Sequence, residues 1–291
     1  MAHPFDELIV LTAPPADGTA GVVTAPTGAS DAATAPRTVL AHTHPAWANM
    51  VGPFGGATAA QALAALTSDP RAQGRPAALT LNFTTAIADG EMRITVEPVR
   101  TNRSNQHWVI RVEQESGVVL TGTALFASDR ETFSDTEAVL PAEAGSPEEH
   151  SVSGRLSLPW LENYEFRFVK GAPEADPHAP SPSPDSESLV WFRPVQEREW
   201  DYPALAAAAD VFFPRIFLRT GQPSPAGTIS FTVYFNTDPQ ELAGQGRQLL
   251  GRARASRLHN GLFAQGAPGG GESGDLRAPT TQLGYCRRRG A

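Results

Sequence analysis

Three polar residues interrupt runs that should otherwise be buried. Asp210 sits in ALAAAADVFFP, Thr228 in PAGTISFTVYF and Gln282 in LRAPTTQLGYCR. An acid, a hydroxyl and an amide converging in an apolar pocket can hold and polarise one water beside a hydrophobic acyl chain. That is the chemistry of acyl ester or thioester hydrolysis. A buried carboxylate without partners is costly, so Asp210 reads as a general base or an orienter of the attacking water. The competing reading is a cap or surface acid on a wet helix face. Thr228 competes with plain β-propensity, and Gln282 with a solvent-facing position on an alternating strand. No histidine is evidently placed to activate Thr228 as a nucleophile. The Gln282 amide N–H can donate to the water or the substrate oxygen, and a neutral amide suits a site where charge develops only in the transition state.

Other candidates are less specific. Gly55 and Gly56 open a helix; they permit a tight strand-to-helix turn, and bare N–H groups at a helix N-terminus can receive an oxyanion or a carbonyl oxygen. Arg252 and Arg254 share a face by period two, with Arg257 nearby. A solvated edge is the favoured reading and a coenzyme A phosphate contact the sharper one. His42, His44, His107 and His259 show no metal-binding spacing, and APGGGESGD has no phosphate-loop context.

The elements that must carry these residues repeat. RTVLAHTHPAW reads as extended, paired with TAGVVTAPT; GGATAAQALAALTS reads as an Ala/Leu-rich helix ended by Asp69-Pro70. ALTLNFTTAI, MRITVEPVR, HWVIRVEQE and VVLTGTALFA alternate as half-buried strands. Residues 128–157 turn acidic and Pro/Ser/Gly-bearing, as a linker does. The pattern then restarts: NYEFRFVKG and SLVWFRPVQ are strands around a Pro-rich loop at 172–187. YPALAAAADVFFPRIFLRT is a helix with a kink or break expected at Pro214. Four further strands come after it, with AQGAPGGGESGD as a hairpin turn. This predicts a duplicated α+β protein with antiparallel sheets, each wrapping its own helix, divided as 1–127, 128–157 and 158–291. The first helix has no acid from Gly55 to Ser68, so the first-half site is expected to be degenerate.

With 291 residues and 41% hydrophobic content, the chain reads as an ordinary globular protein. A net charge of -8 argues against nucleic acid as a partner. Cys286 is the single cysteine, which rules out an intramolecular disulfide and a Cys-based metal site. No run approaches the ~18 apolar residues of a membrane helix and the N-terminus lacks a signal peptide's basic region, so the expected location is cytoplasmic. The one lysine, Lys170, among many arginines reads as codon bias.

Phe54-Gly55-Gly56, four residues, then Gln61-Ala62-Leu63 resembles the FGG-x4-QAL signature that opens the first central helix of type II (TesB-like) acyl-CoA thioesterases. Ala209-Asp210, Gly227-Thr228-Ile229 and Thr281-Gln282-x-Gly284 resemble that family's Asp, Thr and Gln positions, in the same order, and LHNGLF resembles its penultimate hairpin. The resemblance covers roughly 35–127 and 160–288. It implies a double hot dog fold, acyl-CoA as substrate and a water held by Asp210, Thr228 and Gln282. It also implies an acyl tunnel bordered by Phe212, Phe213 and Trp191, no metal or redox cofactor, and assembly into homo-oligomers. The long Ala/Pro/Thr insertion near 13–36 and the loop at 172–187 depart from the family pattern. An enoyl-CoA hydratase of the same fold would need a GDxNPxH-like stretch, which the chain lacks. A non-catalytic acyl-CoA or lipid-binding protein is the reading from another class.

Overall fold

A computed structural model describes residues 2–15, 33–135, 139–153, 158–173, 181–243, 247–259, 262–267 and 280–286. The expected strand at 19–27 lies outside them, as does the expected hairpin turn at 264–275 from 268 on, while Ala264 to Ala267 belong to a strand. The first half runs from a short helix α1 (Pro4–Leu8) through β1 (Arg37–His42) to the central helix α2 (Gly55–Thr67). β2 (Arg75–Phe83), β3 (Glu91–Thr101), β4 (Asn105–Gln114) and β5 (Gly117–Ala127) complete it. The second half carries β6 (Tyr164–Lys170), β7 (Ser188–Pro194), helices α3 (Tyr202–Ala208) and α4 (Ile216–Thr220), β8 (Ala226–Tyr234) and α5 (Pro239–Ala243). It ends on β9 (Leu249–His259), β10 (Leu262–Ala267) and β11 (Thr280–Cys286).

Among the described residues, eleven strands form one sheet in the order β1-β3-β4-β5-β2-β8-β11-β10-β9-β7-β6, and every pairing is antiparallel. The first five strands and the run β7-β9-β10-β11-β8 have the same connectivity, so the duplication is real. The two sheets expected from the sequence are joined edge to edge where β2 pairs β8, with Leu81 opposite Phe231. Joining the edges removes two rows of unpaired backbone groups.

The sheet curls around α2 and α3, which pack on each other. α2 is buried nearly all round, as an Ala-rich helix with no polar stripe must be. The helices touch at Gly56, where a Cβ would lie 2.6 Å from the Ala207 carbonyl oxygen. The expected long helix over 202–220 instead breaks earlier than Pro214. α3 starts on an Asp201 cap that accepts from the Ala204 N–H and stops after seven residues. Asp210 therefore lies in a turn beyond the helix, its N–H bonded to the Ala207 carbonyl. Pro214 disfavours helical backbone just before it, and the aromatic and β-branched residues between propagate helix poorly.

Each half also lends a segment to the other. α1 docks on the strand-to-helix loop of the second half: Arg198 donates to Asp6 at 2.9 Å and lies over the Phe5 ring. The 3-10 turn Pro159–Asn163 docks on the equivalent loop of the first half, where Asn163 donates to the Ala46 carbonyl at 2.7 Å. Part of the acidic segment 128–157 covers the outer sheet face: the Trp191 indole donates to the Ala144 carbonyl, and Arg167 to those of Pro147 and His150.

Candidate active site

The break after α3 brings the Asp210 carboxylate across to the start of α2. A Cβ built on Gly55 would meet Asp210 Oδ2 at 2.7 Å and the Phe83 ring at 3.7 Å. Glycine at 55 therefore leaves the room that the carboxylate occupies. The helix start itself is open: Phe54 precedes α2 and provides no side-chain cap. No backbone hydrogen bond from the Gly55 or Gly56 N–H occurs among the described residues. An uncapped N-terminus carries roughly half a positive charge and unused donors, which favour developing negative charge. Gly56 has a second function, since only a glycine fits between the Phe54 ring and Ala207.

Thr228 is turned towards the inner face of the sheet by a bulge. Along β8 and β11, Leu283 pairs Ser230 and Gly284 pairs Thr228, so Ile229 is an extra residue. Strict alternation from buried Phe231 and Val233 would put Ile229 inside and Thr228 outside. Ile229 is instead 37% exposed and Thr228 half-buried. The inserted residue reverses the alternation and re-aims the threonine. The same device occurs in the first half, where Ala77 is extra and Pro76 is buried. Gln282 pairs Phe231 on β8 and Gln265 on β10; its side chain lies outside the described residues. Thr228 on β8 and Gln282 on β11 thus lie on paired strands, Gln282 opposite Phe231 and Thr228 opposite Gly284.

Phe212 belongs to the main core, with its ring against Gly251, where a Cβ would fall 2.5 Å from it. Phe213 lies between Phe168 and Phe217, and the Arg215 guanidinium sits 3.9 Å over its ring. Arg215, which sequence reasoning did not single out, is fully buried and donates to the Phe213 carbonyl and to Ser188. Burial pushes its pKa down to about 9. It pins the chain just after Asp210. Arg252 and Arg254 point away from this region: they are exposed and alternate with buried Gly251 and Ala253, and Arg252 pairs with Glu187 at 2.8 Å. Trp191 likewise packs on the outer face with Ala144, Leu189 and Leu250 rather than beside Asp210.

A duplicated antiparallel sheet curled round two packed helices defines a double hot dog protein. The comparisons carry this to a family. Residues 43–127 match the model for the acyl-CoA thioesterase N-terminal domain and residues 136–286 that for the C-terminal domain. The chain belongs to the acyl-CoA thioesterase family and is a thioester hydrolase. A hot dog protein of unknown function from Alicyclobacillus acidocaldarius is 35% identical over 100% of both chains, with a TM-score of 0.83. An acyl-CoA thioesterase II from Mycobacterium marinum is 19% identical over 97% of this chain and 98% of its own, with a TM-score of 0.65. The tesB protein of Mycobacterium avium subs paratuberculosis is 17% identical, covering 86% and 92%, with a TM-score of 0.66. These last two show a shared fold. No curated protein matches the sequence. Among the described residues no helix is long and apolar enough to cross a membrane.

Proposed function

We propose that Asp210, Thr228 and Gln282 hold and activate the water that hydrolyses an acyl-CoA thioester, in units spanning 1–127 and 158–291 joined by 128–157. The contact of Asp210 with the start of α2 carries this reading, because it sets a base beside a helix N-terminus that has no side-chain cap from Phe54. Asp210 takes a proton from the water, which attacks the thioester carbonyl carbon. The negative charge on the oxygen is received at the Gly55–Gly56 end of α2. The C–S bond then breaks, and the departing thiolate takes the proton held by Asp210 to leave as the CoA thiol, which returns Asp210 to its carboxylate form. Thr228 and Gln282 orient the water. Phe212 and Phe213 border the acyl chain, and Arg252 and Arg254 are the weakest members of the set, given their outward face. The chain works as a cytoplasmic homo-oligomer on this reading; the exposed Val109, Ile229 and Tyr234 give the sheet an apolar outer face to cover.

Free-thiol release from acyl-CoAs of graded chain length, for the wild type and Asp210→Asn, tests the proposal. Turnover that collapses in the variant supports it. Saturable acyl-CoA binding with no thiol release from the wild type would favour a binding protein instead. Light scattering checks the oligomer, and cell fractionation the location.

A further inference from the structure

The 3-10 turn Pro159–Asn163 carries Trp160 from the second half onto the first. Its ring lies flat on Phe54, with centroids 4.1 Å apart and planes 3° apart, and Phe166 meets it edge-on. Its backbone N–H bonds to the Ala48 carbonyl, in the loop that leads into α2. Trp160 is 6% exposed, yet its indole N–H is buried with no hydrogen-bond partner among the described residues. The other buried indoles are answered: Trp47 donates to Pro4, Trp108 to Gln106, Trp191 to Ala144 and Trp200 to Arg247. A buried donor left unmade costs the protein its full desolvation. Here that cost falls on a ring stacked against Phe54, the residue immediately before Gly55, and Gly55 is the position against which Asp210 rests.

We propose that the Trp160 indole N–H is a second donor to the thioester carbonyl oxygen of the substrate, acting with the open N-terminus of α2. This rests on the site reading of Asp210 and α2 and adds a residue to it. The site would then draw its base from the turn after α3, its backbone donors from α2 and an indole donor from the turn that precedes β6. The N–H forms no bond to carbon; it accepts no proton and releases none. It strengthens its hydrogen bond as the carbonyl oxygen becomes an oxyanion and relaxes when the C–S bond breaks.

Trp160→Phe keeps an aromatic ring on Phe54 and removes the donor. The measurement pairs acyl-CoA turnover with inhibition by an S-alkyl-CoA thioether, which has the same arm and chain but no carbonyl oxygen. The expected result is a fall in kcat of about 10²-fold, the loss typical of one oxyanion donor, with KM and the thioether inhibition constant unchanged. An unchanged kcat overturns the proposal. Equal weakening of substrate and thioether also overturns it, because the ring would then only shape the pocket. If Trp160→Phe does not fold, benzothienylalanine at this position keeps the bicyclic shape and replaces only the N–H. Asp210→Asn run in parallel separates the two ideas: full activity there sinks the site reading, whereas collapse there with an unaffected Trp160→Phe sinks only this inference.

Discussion

Each central helix ends two residues before an aspartate, and the two aspartates meet opposite fates. Asp69 comes after α2 and is held by Arg71, whose Nε and Nη2 donate at 2.9 and 2.8 Å, with Arg37 4.0 Å away. Those hydrogen bonds hold its carboxyl below the usual aspartate range against the opposing cost of burial. Asp210 comes after α3 and lies against the first residue of α2. One acid is consumed in closing a helix end; the other is delivered to an open helix start. The strands tell the same story. The two halves share a bulge, but Thr228 in the second half stands where Pro76 stands in the first, and Gln282 where Ala124 stands. α3 starts on Tyr202 where α2 starts on Gly55; the Tyr202 ring packs edge-on to Phe235, and burial pushes its phenol up to about 12. Duplication supplied two frames, and substitution at a few positions gave them different polar groups.

The contrast can be broken at the acid. Asp210→Asn should lower kcat by about 10²- to 10⁴-fold, measured by thiol release, while the melting temperature stays near wild type. The glycines sharpen it next. Gly55→Ala should push the Asp210 carboxylate aside and cost about 10²-fold in kcat, because the obstructing atom is the end of a side chain that can move. Its neighbour behaves differently. Gly56→Ala meets the Ala207 carbonyl, which cannot move alone, and should destabilise the fold by about 1–3 kcal/mol in thermal or denaturant unfolding.

The pH dependence of stability tests the other acid. Asp69 has a depressed pKa when folded, so its contribution is complete above the unfolded value near ~4. It is lost as pH falls through the folded value. Asp69→Asn should remove about 1–3 kcal/mol at neutral pH and flatten the acid limb of the stability curve, with kcat unchanged. The smallest effect is expected from Pro76→Ala, which should alter kcat/KM by less than about twofold because Pro76 pairs Phe126 within the first half, at the position Thr228 takes in the second.

Much of this was legible in the residues. Period-two alternation marks β2 to β5 because each has one face on the core. The repeat of helix and strands announces the duplication, and the FGG-x4-QAL spacing places α2. The sequence overextends the helix around Asp210, since an Ala run has no internal stop and the residues Val211 to Pro214 set the turn. Trp160 and Arg215 give no signal at all: an indole or a guanidinium in the sequence does not show whether it is buried, or beside what.

The sequence by itself determined the fold class, the family and the order of the polar positions, because local periodicity and short motifs are properties of neighbouring residues. Only the tertiary structure decided which of two aspartates reaches an open helix start. It also decided which face Thr228 takes and which glycine accommodates a carboxylate rather than a helix. Those outcomes depend on a one-residue bulge and on contacts between residues more than a hundred positions apart, and neither is encoded within any single element.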